Sequence, residues 1–303
     1  MLLSRLKTAV PLIFLLFLVF YLPSTPGRIV FTTLAAAIFF LALSEMIRLS
    51  DFIHPKPFGF ALYLLGSALF ILAALNPSSM ITLCLQWSGE IFAGILFLLI
   101  VFCISFHFSP TRETLRESRA ALAAAFYICW PLCFLAKIYF MPGHGALLLA
   151  YLIVVTKMAD VGAYFVGMST AKLPGGNHKL AKIISPKKSW EGLFGGIVFS
   201  LGASLIFFYF AQAQLQFGDF GNLAKIVIHL KWFDAILLGI AAPLIGLLGD
   251  LAESAIKRAV DAKDSGQLPG LGGILDMLDS LIPMAPLFYA WLILKNAMAI
   301  AAS

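Results

Sequence analysis

Apolar residues run along this chain in nine long blocks, at 8–23, 28–47, 58–75, 81–106, 119–139, 145–167, 191–212, 234–255 and 281–301. Each block approaches the roughly 20 residues that a helix needs to cross the hydrocarbon core of a bilayer. None alternates apolar and polar positions by twos, as the strands of a transmembrane barrel do. The pattern predicts an all-α protein, a polytopic integral membrane bundle of about nine transmembrane helices. The first block follows Arg5 and Lys7, as the apolar core of a signal peptide would. It ends at Tyr21-Leu22-Pro23 with no small-residue cleavage site and is expected to be a retained span. No internal repeat is evident, which weakens inverted-repeat transporter readings.

Composition agrees: 61% of the 303 residues are hydrophobic and 12% charged, against about 25% charged in soluble domains. Basic residues set the orientation. With a cytoplasmic N-terminus, 15 of the 21 Lys and Arg residues fall on the inner side, five, including Lys137, on the outer side, and Lys157 within a span. That asymmetry obeys the positive-inside rule. It places the 168–190 and 256–280 segments in the cytoplasm and the C-terminus outside. Cys84, Cys103, Cys129 and Cys133 all sit in apolar blocks without a metal-ligand spacing, and Cys129 and Cys133, on one helix face, read as small packing residues.

Polar residues are spread unevenly. Residues 1–150 read as a scaffold of transmembrane helices, and residues 151–303 as transmembrane helices and cytoplasmic loops that carry the chemistry. Lys157 and Asp160 share a helix face, either as a mutually neutralising pair or as part of a polar site. The basic loop Lys172–Lys182 suits phosphates or anionic lipid headgroups. Ser185-Pro186-Lys187-Lys188-Ser189-Trp190-Glu191-Gly192 precedes a span; Ser189 could cap that helix, and its N-terminus with two lysines would attract anions. Gly192 and Gly196 have small-residue spacing for helix packing.

The segment Gly249–Ser280 is the densest in chemistry. A helix continuing past Asp250 would align Asp250, Glu253, Ser254, Lys257 and Asp261 in one stripe. The glycines and proline that follow would break it, and Asp276 and Asp279 could fold back towards Asp250. Carboxylates converging at a membrane surface repel one another unless a cation joins them, and hard oxygen ligands suit Mg²⁺.

This segment resembles the signature of the phosphatidate cytidylyltransferases, also called CDP-diacylglycerol synthases. The matching residues are Ser254, Lys257-Arg258, Lys263-Asp264, Gly266, Pro269-Gly270, Gly272-Gly273, Asp276 and Asp279. The Ser185–Gly192 stretch resembles a second element of that family, and Asp160 with Ala163, Tyr164 and Gly167 a third. The resemblance covers about the C-terminal half. This chain departs from it at Leu271, where the family usually has histidine, at Met277, where it usually has arginine, and in a Gly266–Pro269 stretch one residue short. Every presumed metal-facing acid is present, so intact activity is expected.

The resemblance implies transfer of a cytidylyl group from CTP to phosphatidate at the cell membrane, giving CDP-diacylglycerol and pyrophosphate for phospholipid biosynthesis. Asp250, Lys257, Asp276 and Asp279 would be catalytic. Asp250, Asp276 and Asp279, with Asp160 as a neighbour, would hold Mg²⁺, with or without a second cation. Ser185, Lys187, Lys188, Ser254, Lys257, Arg258 and Lys263 would bind substrate. Expected partners are CTP, phosphatidate, membrane lipids and a second copy of the chain, with no nucleic acid. The alternative is a cation- or proton-coupled transporter using Asp160, Lys157 and Asp250, which leaves the two basic, glycine-containing loops unexplained.

Overall fold

The computed structural model describes residues 19, 24–50, 57–75, 80–107, 111–212, 215–218, 227–261, 265–266 and 273–301. Among them, eight helical segments are long and apolar enough to cross a membrane. Of the expected first span, only Val19 falls within the described residues.

The helices follow the apolar blocks. They are α1 (Ser24–Leu49), α2 (Pro57–Ala74), α3 (Met80–His107), α4 (Arg112–Ala124), α5 (Trp130–Tyr139), α6 (Gly145–Thr170), α7 (Trp190–Ala211), α8 (Trp232–Ala259), α9 (Ile274–Leu278) and α10 (Leu281–Ala301). α4 and α5 form one continuous span through a single π-helical turn, Ala125–Cys129. α4 starts in the charged 111–119 stretch, where the Thr111 hydroxyl caps it by accepting the Thr114 N–H at 3.2 Å.

Two short antiparallel hairpins add to the all-α architecture. Strand β1 (Lys179–Ala181) pairs with β2 (Ser185–Ser189), and β3 (Gln216–Gly218) with β4 (Val227–His229). Hydropathy missed both because strands of three to five residues carry too few positions to show a period. The turn before β1 passes through Gly175 and Gly176, at φ +100° and +67°, a region that glycine enters without steric cost.

α7 packs closely against both α6 and α8, and glycine is the reason for the α6–α7 approach. A side chain at Gly162 would begin 2.6 Å from the Gly195 carbonyl oxygen, and one at Gly195 would begin 2.8 Å from that of Gly162. Lipid tails are as apolar as the helices, so association in a membrane rests on such close fit rather than on hydrophobic exclusion. Gly192 and Gly196 lie on the same interface, facing the carbonyls of Ala163 and Ala159.

Two buried charge pairs cross between spans. Lys137, placed by the loop count on the outer side, is instead 2% exposed within α5. Its ammonium lies 2.6 Å from Glu90 of α3, among the rings of Trp87, Phe134 and Tyr289. Lys295 of α10 pairs with the buried Asp234 at the start of α8. Cys129 and Cys133 are buried among apolar side chains, as packing residues should be.

Candidate active site

Three polar clusters separated in the sequence meet in one cavity of about 620 Å³. Its walls come from the second half of α6, the β1–β2 hairpin, the start of α7, the second half of α8, and the α9 region. Asp160, Ser185, Lys187, Lys188, Asp250, Asp276 and Asp279 all line it.

The basic side is built by the hairpin. Lys179 pairs with Ser189 across β1 and β2, and Ser185, Lys187 and Lys188 of β2 line the cavity. Ser189 caps α7 by accepting the Gly192 N–H at 3.1 Å. Glu191, in the first turn of α7, ties the hairpin down: it accepts the backbone N–H of His178 at 3.1 Å and meets the imidazole Nδ1 at 2.6 Å. Asn177 donates to the Gly167 carbonyl at 2.6 Å and joins the same hairpin to α6. The helix N-terminus and two ammonium groups therefore face the same space.

The acidic side comes from α8 and α9. α8 extends to Ala259, so Asp250, Glu253, Ser254 and Lys257 do share a face. Asp261 does not: it lies beyond the helix at φ +52°. Ser254 donates to Asp250 at 3.4 Å. Gly249 lets the α9–α10 junction close in, because a side chain there would begin 2.8 Å from the Pro283 ring. This contact brings Asp279 to Asp250. The carboxylates of Asp250, Glu253 and Asp279 each offer an oxygen within 4.8 Å of the others.

Asp276 has a different environment. It accepts from the Lys257 ammonium, from the N–H and hydroxyl of Ser265 at 3.2 and 3.0 Å, and from the Gly273 N–H at 2.8 Å. It lines the cavity, yet its oxygens are occupied by protein donors. Lys257 also meets Glu253 at 2.7 Å and so stands between the two acids. Of the described residues, Asp250, Glu253 and Asp279 form the set best placed for a divalent cation. One oxygen of Glu253, Oε1, is buried with no hydrogen-bond partner. A buried, unmatched carboxylate oxygen is costly, and a hard cation would satisfy it.

Lys188 bridges the two sides, its ammonium 2.5 Å from Asp250. Asp160 is joined to the acids through Ser280: Lys157 donates to Asp160 and to the Ser280 hydroxyl at 2.9 Å each, and that hydroxyl donates to Asp160 at 3.0 Å. The Ser280 N–H in turn lies 2.5 Å from Asp279. Lys157 and Asp160 are thus both a neutralising pair and part of the polar site. Ser254, Lys257 and Arg258 stand outside the cavity wall, the first two behind the acids and the third exposed at the end of α8. Lys263 lies outside the described residues.

Residues 3–294 match the family model described as the cytidylyltransferase family. The chain belongs to this family. It is 42% identical over 148 residues to a phosphatidate cytidylyltransferase of Haemophilus influenzae, covering 48% of this chain and 46% of the relative. It is 39% identical over 167 residues to one of Bacillus subtilis, covering 55% of each. A Chlamydia pneumoniae relative of the same name is 34% identical over 210 residues, covering 66% of this chain and 63% of the relative. The chain spans about half the length of the first two.

Two residues without any signal in the motifs support the site of this cytidylyltransferase, and a third shows only within the α8 stripe. Glu45 of α1 is 4% exposed. It accepts the backbone N–H groups of Ile274 and Leu275 at 3.0 Å each and the Ser265 hydroxyl at 3.2 Å. It therefore caps α9 from the opposite half of the chain. Tyr127, in the π-helical turn, donates to the Gly249 carbonyl at 3.2 Å, one residue before Asp250. Glu253, noted in the α8 stripe, completes the acid set. A lone glutamate inside an apolar block was the available clue to Glu45, since intramembrane acids are expensive and paired.

Proposed function

We propose that this chain transfers a cytidylyl group from CTP to phosphatidate, forming CDP-diacylglycerol and releasing pyrophosphate. The observation that carries this reading is the single cavity shared by Lys187, Lys188 and Ser185 on one wall and by Asp250, Asp276 and Asp279 on the other. Two anionic substrates must meet there, and the basic wall offsets their mutual repulsion. The named relatives support the same substrates.

In the proposed reaction, a phosphate oxygen of phosphatidate attacks the α-phosphorus of CTP. A new phosphorus–oxygen bond forms, the bond from the α-phosphorus to the bridging oxygen of the β-phosphate breaks, and pyrophosphate leaves with the electron pair. The phosphate nucleophile is already ionised, so positioning and charge stabilisation dominate over general-base help. Lys187 and Lys188 would hold CTP phosphates, with the Ser185 hydroxyl as a further donor. Asp250, Glu253 and Asp279 would hold Mg²⁺, which when bound supplies positive charge to the triphosphate. Asp276 would position this set by holding Lys257, Ser265 and Gly273 together.

The charge asymmetry of the loops supports a cytoplasmic N-terminus and a cavity open to the cytosol, where CTP resides. The family resemblance supports a homodimer, which light scattering of the solubilised protein would test. Detergent-solubilised protein given phosphatidate and each nucleoside triphosphate, with and without Mg²⁺, tests the reaction. CDP-diacylglycerol and pyrophosphate in equal amounts, dependent on CTP and Mg²⁺, are expected; their absence would refute the assignment.

A further inference from the structure

Short helix α9 and its continuation into α10 have two faces. Asp276 and Asp279 line the polar cavity. Ile274, Met277, Leu278 and Leu281, spaced i, i+3, i+4 and i+7, line a second cavity of about 270 Å³ on the other side. The opposite walls of this second cavity come from α1, α5 and α6, through residues such as Ala35, Ile38, Leu135 and Ile153.

Among the described residues lining this apolar space, Lys157 is the only charged one. Its ammonium does not end there. It donates to Asp160, a wall residue of the polar cavity, and to Ser280, the neighbour of Asp279. On α6 the division repeats: Leu149, Ile153 and Lys157 belong to the apolar cavity, and Asp160, Ala163, Tyr164 and Gly167 to the polar one. The two cavities thus adjoin along α9 and meet at the Lys157–Asp160–Ser280 junction.

A ligand that fits both spaces must be amphipathic, with an anionic group at the lysine end. The apolar cavity lies just below the roughly 300–1,000 Å³ of ordinary small-molecule pockets, which suits one flexible hydrocarbon chain better than a whole lipid. We propose that it is the subsite for one acyl chain of phosphatidate, whose phosphate then lies in the polar cavity with its glycerol near Lys157. This subsite rests on the phosphatidate reading above. Met277, where the resemblance expects arginine, keeps the wall apolar, so long-chain substrates are favoured over short ones.

The test is photolabelling of the intact solubilised chain, without CTP, by phosphatidate carrying a diazirine at the end of one acyl chain. Labelling of residues 31–39 and 132–136, displaced by unlabelled phosphatidate and not by phosphatidylcholine, is expected. Labelling elsewhere, or equal displacement by both lipids, overturns the subsite. A second measurement uses Ala35→Phe and Ile38→Trp, which fill the cavity from α1. The ratio of kcat/KM for dioleoyl over dihexanoyl phosphatidate should fall about tenfold or more, the scale on which apolar pockets discriminate; an unchanged ratio overturns the proposal. The two readings fail separately. Product formation with labelling outside the cavity would refute only the subsite, and cavity labelling without any CDP-diacylglycerol would refute only the transfer.

Discussion

Glu45 holds the first backbone N–H of α9, that of Ile274, at 3.0 Å across 229 residues of sequence. The short helix that carries Asp276 therefore depends on an acid from the first helix described. Glu45→Ala would leave the N–H groups of Ile274 and Leu275 and the Ser265 hydroxyl without this acceptor. Each unsatisfied buried donor costs about 1–3 kcal/mol. Tm should drop, and turnover should fall by about tenfold or more, because these bonds orient the helix that carries Asp276 into the cavity. Glu45→Gln keeps one acceptor oxygen and should fall between the two. Cytidylyl transfer and thermal unfolding of the same preparations would check this order.

Asp279 and Asp276 should separate on mutation. Asp279→Ala removes a member of the acid cluster that has one short local partner, the Ser280 N–H. Mg²⁺-dependent turnover should be lost while the protein stays folded. Near-normal activity would remove Asp279 from the metal set.

Asp276→Ala, by contrast, strips partners from Lys257, Ser265 and Gly273. Breaking a largely buried pair by deleting one partner costs about 3–5 kcal/mol. This variant should lose thermal stability clearly beyond Asp279→Ala. Equal Tm values for the two would show that the α9 hydrogen bonds contribute little.

Glu253→Gln changes the acid with the unpartnered buried oxygen. Neutralising one carboxylate of a three-acid set should weaken cation binding. The Mg²⁺ concentration for half-maximal rate should rise about tenfold, as for loss of an orienting or ligating group. Mn²⁺ binding followed by electron paramagnetic resonance should weaken in parallel. Unaltered Mn²⁺ affinity would place the cation elsewhere.

Lys188→Ala removes the ammonium that faces Asp250 at 2.5 Å. If Lys188 exchanges this carboxylate for a CTP phosphate, kcat/KM for CTP should fall by at least about tenfold, with little change in Tm, because partly exposed pairs contribute about 0–1 kcal/mol to stability. Steady-state kinetics against CTP at fixed phosphatidate would decide it.

The spans and most of the cavity were legible in the sequence for the same reason. Transmembrane helices must be apolar, so every departure from apolarity is informative. Asp160, Lys187, Lys188, Asp250, Asp276 and Asp279 stand out against that background and do line one cavity. What stayed hidden depended on where the chain returns in space. Glu45 gave no motif because its partners are backbone groups of α9. The donors that surround Asp276 could not be read from its spacing to Asp279. Tyr127 reaches Gly249 from a π-helical turn, and apolar periodicity does not announce such turns. Lys137 looked like a loop anchor because it lies near the end of an apolar block, and only its approach to Glu90 shows that it faces inward.

That last pair also constrains how the protein is made. Glu90 and Lys137 are 47 residues apart, so the carboxylate of α3 is synthesised well before its ammonium partner in α5. A charge facing lipid alone costs about 2.5–3.5 kcal/mol at a helix centre on insertion scales. Release of α3 into the bilayer is therefore favoured once α5 has arrived to neutralise it. A carboxylate made 47 residues before its ammonium partner thus ties the placement of α3 in the membrane to the arrival of α5.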